Sequence, residues 1–204
     1  MKSLSTPIAV LFLAACTSFN VGNNYTLDGK TQEGLAVVSL SYEGIGSGIS
    51  AKCEYRDTAN AEATGYIMAD TRREPADWHS PTGRLAYFSL TPGRYEFFRC
   101  GFARQTGGGG QYWSVGPNGV PTNNNPAYSA LTVPVYAGFD GEPFSARFEI
   151  LPGRATYVGN LHFVWNEVQQ RGRVIVTDRS DRDLALVLQR LPKLRPEQIK
   201  KVTN

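Results

Sequence analysis

Three side chains with the chemistry of a hydrolase lie side by side in the stretch ADWHSP, namely Asp77, His79 and Ser80. A serine nucleophile needs a base and an orienting acid that point at one another. Sequence neighbours on an irregular segment rarely do so, and no Gly-x-Ser-x-Gly elbow occurs in the chain. We therefore expect a polar loop here, with Trp78 packed on the folded body, and we predict no catalytic residue.

Cofactor and metal chemistry find equally little support. The four glycines at 107–110 are followed by neither the lysine nor the helical pattern that a phosphate-binding loop requires. His79 and His162 are too few for a zinc site, which takes three or four protein ligands. The aspartates near residue 180 lack the spacing of a calcium loop. We expect Asp181 and Asp183 to stabilise a helix N-terminus instead. No metal and no cofactor is predicted.

A glycine- and asparagine-rich stretch over residues 104–130 holds the aromatic residues Tyr112, Trp113 and Tyr128. Long segments of this kind inside a compact domain are often functional or disordered. The aromatic rings could pin an inserted loop onto the body of the protein. Alternatively, they could form a ligand platform that stacks on sugar rings while the asparagines bond hydroxyl groups. Both interpretations stay open from the sequence alone.

The strongest motif is at the start of the chain. A charged residue, Lys2, precedes an apolar run that ends in Leu13-Ala14-Ala15-Cys16. This is the pattern of a secretory signal that is too short to span a bilayer. The quartet resembles the lipobox of bacterial lipoproteins, which implies cleavage before Cys16 and a diacylglycerol on its sulfur. We therefore expect a signal peptide over 1–15 and a lipidated tether over 16–33, and Thr17 favours sorting to the outer membrane.

Two further cysteines, Cys53 and Cys100, lie in segments that read as strands. An exported compartment permits disulfides, and two cysteines allow only one pairing. We expect one buried bridge; the alternative is a pair of small core residues with free thiols.

Alternation of apolar and polar residues predicts that the body is mainly antiparallel β, from residue 34 onward. In YEFFRCGF, a regular strand places Phe98, Cys100 and Phe102 on one face and Tyr95 and Phe97 on the other.

In ATYVGNLHFVW, the same reasoning places Tyr157 and Leu161 on one face and His162 on the opposite one. Gly159 inside this strand suggests a bulge. The two Pro-Gly pairs, at 92–93 and 152–153, predict type II turns with glycine at positive φ.

Near residue 181 the spacing of apolar residues changes from that of a strand to that of a helix, which places Leu184, Val187 and Leu191 on one helical face. Ser180 or Asp181 is expected to cap it. The segment from residue 171 onward is rich in lysine and arginine. These cations could keep the surface soluble, or they could contact anionic envelope polymers or lipid headgroups.

The motifs LTPGRYEF, FEILPGRATYVGNL and LPKL resemble a group of uncharacterised bacterial lipoproteins over roughly residues 35–195. The resemblance implies a prealbumin-like β-sandwich, akin to carboxypeptidase-regulatory domains (the Ig-like class of sandwich), and the helical spacing adds a short C-terminal helix. It carries no catalytic residues, and the 104–130 segment departs from its pattern.

The formal net charge is +3, which is too small to argue for nucleic acid as a partner. Together with the signal peptide and the lipobox, the sequence predicts one envelope domain that a lipid anchors to the periplasmic face of the outer membrane. The leading interpretation is a non-catalytic binding or assembly module for an envelope protein, peptidoglycan or another glycan. The alternative is a polysaccharide- or peptidoglycan-active enzyme or its accessory domain.

Overall fold

The structure is a computed structural model. It describes residues 20–28, 31–43, 49–62, 64–70, 75–106, 109–115, 146–166 and 171–202. None of the helical residues in these ranges forms a segment long and apolar enough to cross a membrane.

The described chain is mainly β, as the sequence predicts. The strands are β1 (Gly34–Glu43), β2 (Ile49–Asp57), β3 (Thr64–Asp70), β4 (Trp78–His79), β5 (Thr82–Leu90), β6 (Gly93–Thr106), β7 (Gly109–Val115), β8 (Ala146–Ile150), β9 (Ala155–Asn166), β10 (Arg171–Thr177) and β11 (Ile199–Lys201). Helix α1 is Ser180–Arg190, and a 3-10 turn covers Pro196–Gln198.

The strands form two sheets. The first sheet has the order β10-β9-β1-β5-β4, with β11 also paired to β9. The second has the order β3-β2-β6-β7, with β8 also paired to β6. The first sheet is mixed and so departs from the antiparallel pairing that the sequence predicts, because β1 and β11 both run parallel to β9. The second sheet is antiparallel throughout its described pairs.

Strand β1 explains how the layers are arranged. Its residues are buried on both faces from Gly34 to Tyr42. Ala36, Val38 and Leu40 belong to a hydrophobic cluster shared with the second sheet. Leu35 and Val37 belong to another cluster, under α1 and the N-terminal segment. The first sheet is therefore the middle layer, with the second sheet on one face and α1 on the other.

The N-terminal segment 20–28 is packed, whereas the sequence suggested a free tether there. The backbone N–H of Val21 donates to the carbonyl of Tyr87 at 3.0 Å, and Asn20 bonds the same strand through its side chain. Leu27 is buried, and its carbonyl accepts a hydrogen bond from Gln198. The described residues therefore already pack on the folded body at Asn20, well before β1.

Two β-bulges overturn the predicted faces of β6 and β9. The register of β2 with β6 shifts at Phe98, because Glu54 pairs with Arg99 and the next residue pairs with Phe97. A bulge adds one residue and so reverses the alternation. Residues Tyr95, Phe97, Cys100 and Phe102 therefore all face the core cluster between the sheets.

The bulge predicted at Gly159 is present, with φ at +121°. The register of β1 with β9 shifts between Tyr157 and Gly159. Tyr157 consequently faces α1, on the same side as His162, while Leu161 faces the second sheet. The prediction that Tyr157 shares a face with Leu161 and opposes His162 is wrong.

One of the two predicted type II turns is confirmed. Gly153 has φ of 65°, and Arg154 N–H donates to the carbonyl of Leu151 at 3.3 Å. Gly93 instead starts β6 without a positive φ. The helix begins where predicted, but neither Ser180 nor Asp181 caps it: the N-cap residue is Arg179, which makes no capping hydrogen bond through its side chain. Asp178 Oδ1 accepts from the N–H of Ser180 at 2.8 Å, and this hydrogen bond lowers the pKa of Asp178.

Candidate functional site

Cys53 and Cys100 are joined by a disulfide with an S–S distance of 2.01 Å. The two residues are directly opposite on β2 and β6, and both are buried in the core between the sheets. The bridge predicted from the sequence is therefore present, and its place is structural. Cys16 lies outside the described residues, so its lipidation stays a prediction.

The aromatic residues of the 104–130 segment are only partly described. Strand β6 continues to Thr106, and β7 covers residues 109–115, so the first part of this segment is a strand pair where a loop was expected. Trp113 pairs with Phe102, and Tyr112 pairs with Ala103. Adjacent strand residues lie on opposite faces of a sheet. Tyr128 lies outside the described residues, and the ligand platform stays a prediction.

The hydrolase-like residues of ADWHSP do not come together. Asp77 forms an ion pair with Arg190 of α1, and its Oδ2 accepts from the N–H of Leu85 at 2.7 Å. His79 and Ser80 are exposed. The guanidinium of Arg182 lies 3.7 Å from the ring centroid of Trp78. This stretch therefore attaches α1 to the first sheet.

A buried polar cluster lies between α1 and the first sheet. Asp183 is 0% exposed, and its Oδ2 accepts hydrogen bonds from Ser39 Oγ at 2.6 Å and Tyr157 Oη at 2.8 Å. Arg182 forms an ion pair with the other oxygen of Asp183, at 2.8 Å. Burial and the negative charge of Asp183 raise the pKa of Tyr157, so its phenol stays protonated and donates. Asp183 lies in the first turn of α1, as the sequence predicts, and its side chain also binds the sheet, which the sequence did not indicate.

The same cluster contains a serine, a histidine and an acid in a row. Ser41 Oγ lies 2.8 Å from His162 Nδ1, and His162 Nε2 lies 3.5 Å from Glu43 Oε1. These contacts resemble a catalytic triad, but Ser41 is 0% exposed. Its Oγ also lies 3.0 Å from Asn160 Oδ1. A substrate cannot reach this hydroxyl, so the row satisfies buried polar groups and does not present a nucleophile.

The outward face of the second sheet carries charges that are paired with one another. Glu54 forms ion pairs with Lys52, at 2.8 Å, and with Arg99. Burial raises the pKa of Glu54, but the hydrogen bonds and charges of Lys52 and Arg99 outweigh it and hold the pKa below its ordinary value. Lys52 lies over the ring of Tyr66 at 4.5 Å, and Arg99 lies 5.6 Å from the ring of Phe98. Cations already occupy these aromatic faces.

A cleft of about 830 Å³ opens where the ends of β2, β6 and β8 in the second sheet meet β11 of the first. Its basic residues outnumber its acidic ones; they are Arg56, Arg94, Arg147, Lys200 and Lys201, against Asp57, Glu96 and Glu149. The two sheets are joined across it by an ion pair of Lys200 with Glu149 at 3.6 Å. Thr156 Oγ1 also donates to the carbonyl of Glu149 at 2.8 Å. The cleft therefore has an excess of positive charge, and polar contacts join the two sheets beside it.

The cations of the cleft differ in how strongly they are held. Arg56 is paired with the buried carboxylate of Glu96 at 3.1 Å. Arg147 contacts the same carboxylate at 3.8 Å, and its side chain is 79% exposed. Arg94 is exposed and forms no ion pair with the described residues. Arg94 and Arg147 are thus available to an anionic ligand, while Arg56 serves the structure.

No three histidine, cysteine, aspartate or glutamate side chains come together in the described ranges in a way that could hold a metal ion. Sequence reasoning missed both the buried cluster and the cleft. The basic C-terminal segment was a signal for the cleft, because it supplies Lys200 and Lys201. The sequence offered no signal for the buried polar cluster around Asp183, because Tyr157 reaches it only through the bulge at Gly159, which changes the face of β9 on which Tyr157 lies.

Comparisons with known proteins give no family. No family model and no curated protein matches the chain. Among solved structures, the chain is similar over 65% of its length to a leucine-rich repeat protein from Bacteroides thetaiotaomicron, with a TM-score of 0.35 and 11% sequence identity. The matched part is 14% of that protein. A similarity this weak carries neither fold nor function to the chain.

Proposed function

We propose that the chain is a lipoprotein of the bacterial outer membrane, anchored through Cys16 on the periplasmic face. Its folded part is a non-catalytic binding or assembly module of the envelope. The observation that carries the binding role is the charged cleft between β8 and β11, whose volume of about 830 Å³ is in the range of ligand sites. The resemblance of Leu13-Ala14-Ala15-Cys16 to a lipobox supports the lipid anchor.

The packing of the N-terminal segment supports a short connection to the membrane. Asn20 is hydrogen-bonded to β5, and it lies four residues after Cys16. Four extended residues span at most about 14 Å. A lipid on Cys16 would therefore hold the folded body directly above the headgroups. Such a position suits a module that meets partners fixed in the same membrane or in the adjacent cell wall.

We also assign the fold to the prealbumin-like β-sandwiches. Two sheets that share one hydrophobic cluster support this assignment.

The enzyme alternative needs an accessible reactive group. Ser41 is buried, and Asp77, His79 and Ser80 are held apart. These positions favour the binding module over a polysaccharide- or peptidoglycan-active enzyme. Turnover of an envelope glycan by the purified protein would reverse this preference.

Photo-cross-linking in intact cells tests the binding role. A photoreactive side chain is placed at Lys200, which lines the cleft, or at His79, which is exposed on β4. We expect light-dependent adducts with envelope material from position 200 and none from position 79. Equal adducts from both positions, or none from position 200 in correctly anchored protein, would contradict a cleft-based binding module.

A further inference from the structure

Among the described residues, β6 is the strand that pairs with β8, and the other edge of β8 borders the cleft. Thr58 N–H donates to the carbonyl of Arg94, so the peptide groups of Arg94 point towards β2. Its partner on β8 is Glu149, whose carbonyl accepts from Thr156 on the other side. Hydrogen-bonding directions in a strand repeat every two residues. The N–H and C=O of Arg147 therefore also point away from β6, and no described backbone group pairs with them.

The side chains beside this edge select for negative charge. Arg147 is exposed on β8 itself, Arg94 is exposed on the neighbouring strand, and Lys200 lies across the cleft. A ligand strand lying along β8 would pass between these cations. Its acidic side chains would meet them at intervals set by the strand repeat, about 7 Å between alternate residues.

The same cleft offers little to a sugar ring. Its two aromatic residues, Tyr95 and Phe148, are each 4% exposed, and their rings stack on one another at 5.6 Å. Neither ring presents a free face. The open strand edge and the exposed cations therefore favour a peptide over a glycan.

We propose that the cleft binds an extended acidic peptide segment, which adds a strand to the free edge of β8 and pairs its carboxylates with Arg94, Arg147 and Lys200. Addition of a strand at a sheet edge is a common mode of peptide recognition, in which main-chain bonds give affinity and side chains give specificity. This inference rests on the proposed function and identifies its partner as an acidic, strand-forming segment of another envelope protein.

Four probes of similar length test the ligand class by calorimetric titration of the full chain at low salt. The first is a capped six-residue peptide that alternates glutamate and threonine; the second replaces each glutamate by glutamine. The third is the acidic peptide with its internal amides N-methylated, and the fourth is a hexameric oligogalacturonate. We expect the acidic peptide to bind at least about tenfold more tightly than its glutamine counterpart, because three ion pairs are lost. N-methylation should weaken binding by roughly tenfold, because it removes main-chain donors and leaves the charge unchanged.

Matched variants locate the site. Arg94→Gln and Arg147→Gln should each lower the affinity for the acidic peptide by about threefold to fivefold, as expected for the loss of a partly exposed ion pair. Arg173→Gln is the control, since Arg173 is an exposed cation on β10 and does not line the cleft. It should leave the affinity unchanged. Far-ultraviolet circular dichroism of each variant confirms that the fold is intact.

The results separate this inference from the proposed function. Equal binding of the acidic and glutamine peptides overturns the inference, as does tighter binding of the oligogalacturonate with no effect of N-methylation. In either case, adducts from position 200 in cells would leave the binding module standing with a different ligand. Absence of both peptide binding and adducts would overturn both proposals.

Discussion

Replacement of Asp183 by alanine should destabilise the protein more than any other single change in α1, because this carboxylate holds the helix to the first sheet. Ser39 and Tyr157 both donate to it, and both are buried. Ser39 has a second acceptor within reach, Asn160 Oδ1 at 2.9 Å. Tyr157 has no second acceptor in the described contacts, since its oxygen is otherwise the acceptor for the N–H of Arg179.

The expected cost follows from these contacts. A buried donor left without an acceptor costs about 1–3 kcal/mol. The small cavity left by the carboxylate adds roughly 1 kcal/mol. Arg182 is about a third exposed, so its charge can turn to solvent and adds little. We therefore expect Asp183→Ala to lower the free energy of unfolding by about 2–4 kcal/mol, and Asp183→Asn, which keeps one acceptor oxygen, by about 1–2 kcal/mol.

Urea unfolding of the oxidised protein measures these values, and an unchanged m-value confirms that the unfolding transition is comparable. Asp181→Ala is the control, because Asp181 is exposed in the same helical turn and should cost less than about 1 kcal/mol. Adding Tyr157→Phe to Asp183→Ala removes the stranded hydroxyl, so the double variant should be about 1–2 kcal/mol more stable than the sum of the single effects. Equal losses from Asp181→Ala and Asp183→Ala, or strict additivity with Tyr157→Phe, would refute the reasoning.

Three further changes probe the fold. Thiol titration of unfolded, unreduced protein should detect neither Cys53 nor Cys100, and two reactive thiols would disprove the bridge. Reduction should lower the free energy of unfolding by about 4 kcal/mol on the chain-entropy estimate for the 47-residue separation. Trp113→Ala should cost about 3 kcal/mol in thermal or urea unfolding, because its position on β7 is opposite the buried Phe102; an unchanged stability with weaker ligand binding would favour the platform instead. Gly159→Ala should cost about 2–3 kcal/mol, since φ is +121° and a Cβ would lie 2.9 Å from Val176 Cγ1; a loss below about 0.5 kcal/mol would show that the bulge relaxes.

Local periodicity predicted what depends on local chemistry. The strand content, the helix start and the turn at Gly153 follow from alternation, helical spacing and the φ of glycine. The faces of β6 and β9 could not be predicted in the same way. One extra residue in each strand, Phe98 in β6 and Val158 in β9, reverses the alternation, and only the register with the neighbouring strands reveals it.

The candidate site depends on contacts between distant parts of the chain. Asp183 reaches Ser39 across 144 residues, and the cleft combines the ends of three strands with the C-terminal β11. The local spacing of residues does not indicate which distant parts of the chain come into contact. The acidic residues near 180 therefore read as a helix-end pattern, although Asp183 is buried against the sheet.

Metabolic labelling with radioactive palmitate tests the central claim, that a lipid on Cys16 anchors this domain to the envelope. The wild-type chain should incorporate label and fractionate with the outer membrane. Cys16→Ser should incorporate none and accumulate as unprocessed or mislocalised protein, while its folded body retains the Cys53–Cys100 disulfide. Label that still enters the Cys16→Ser chain, or a wild-type chain without label, would contradict the account.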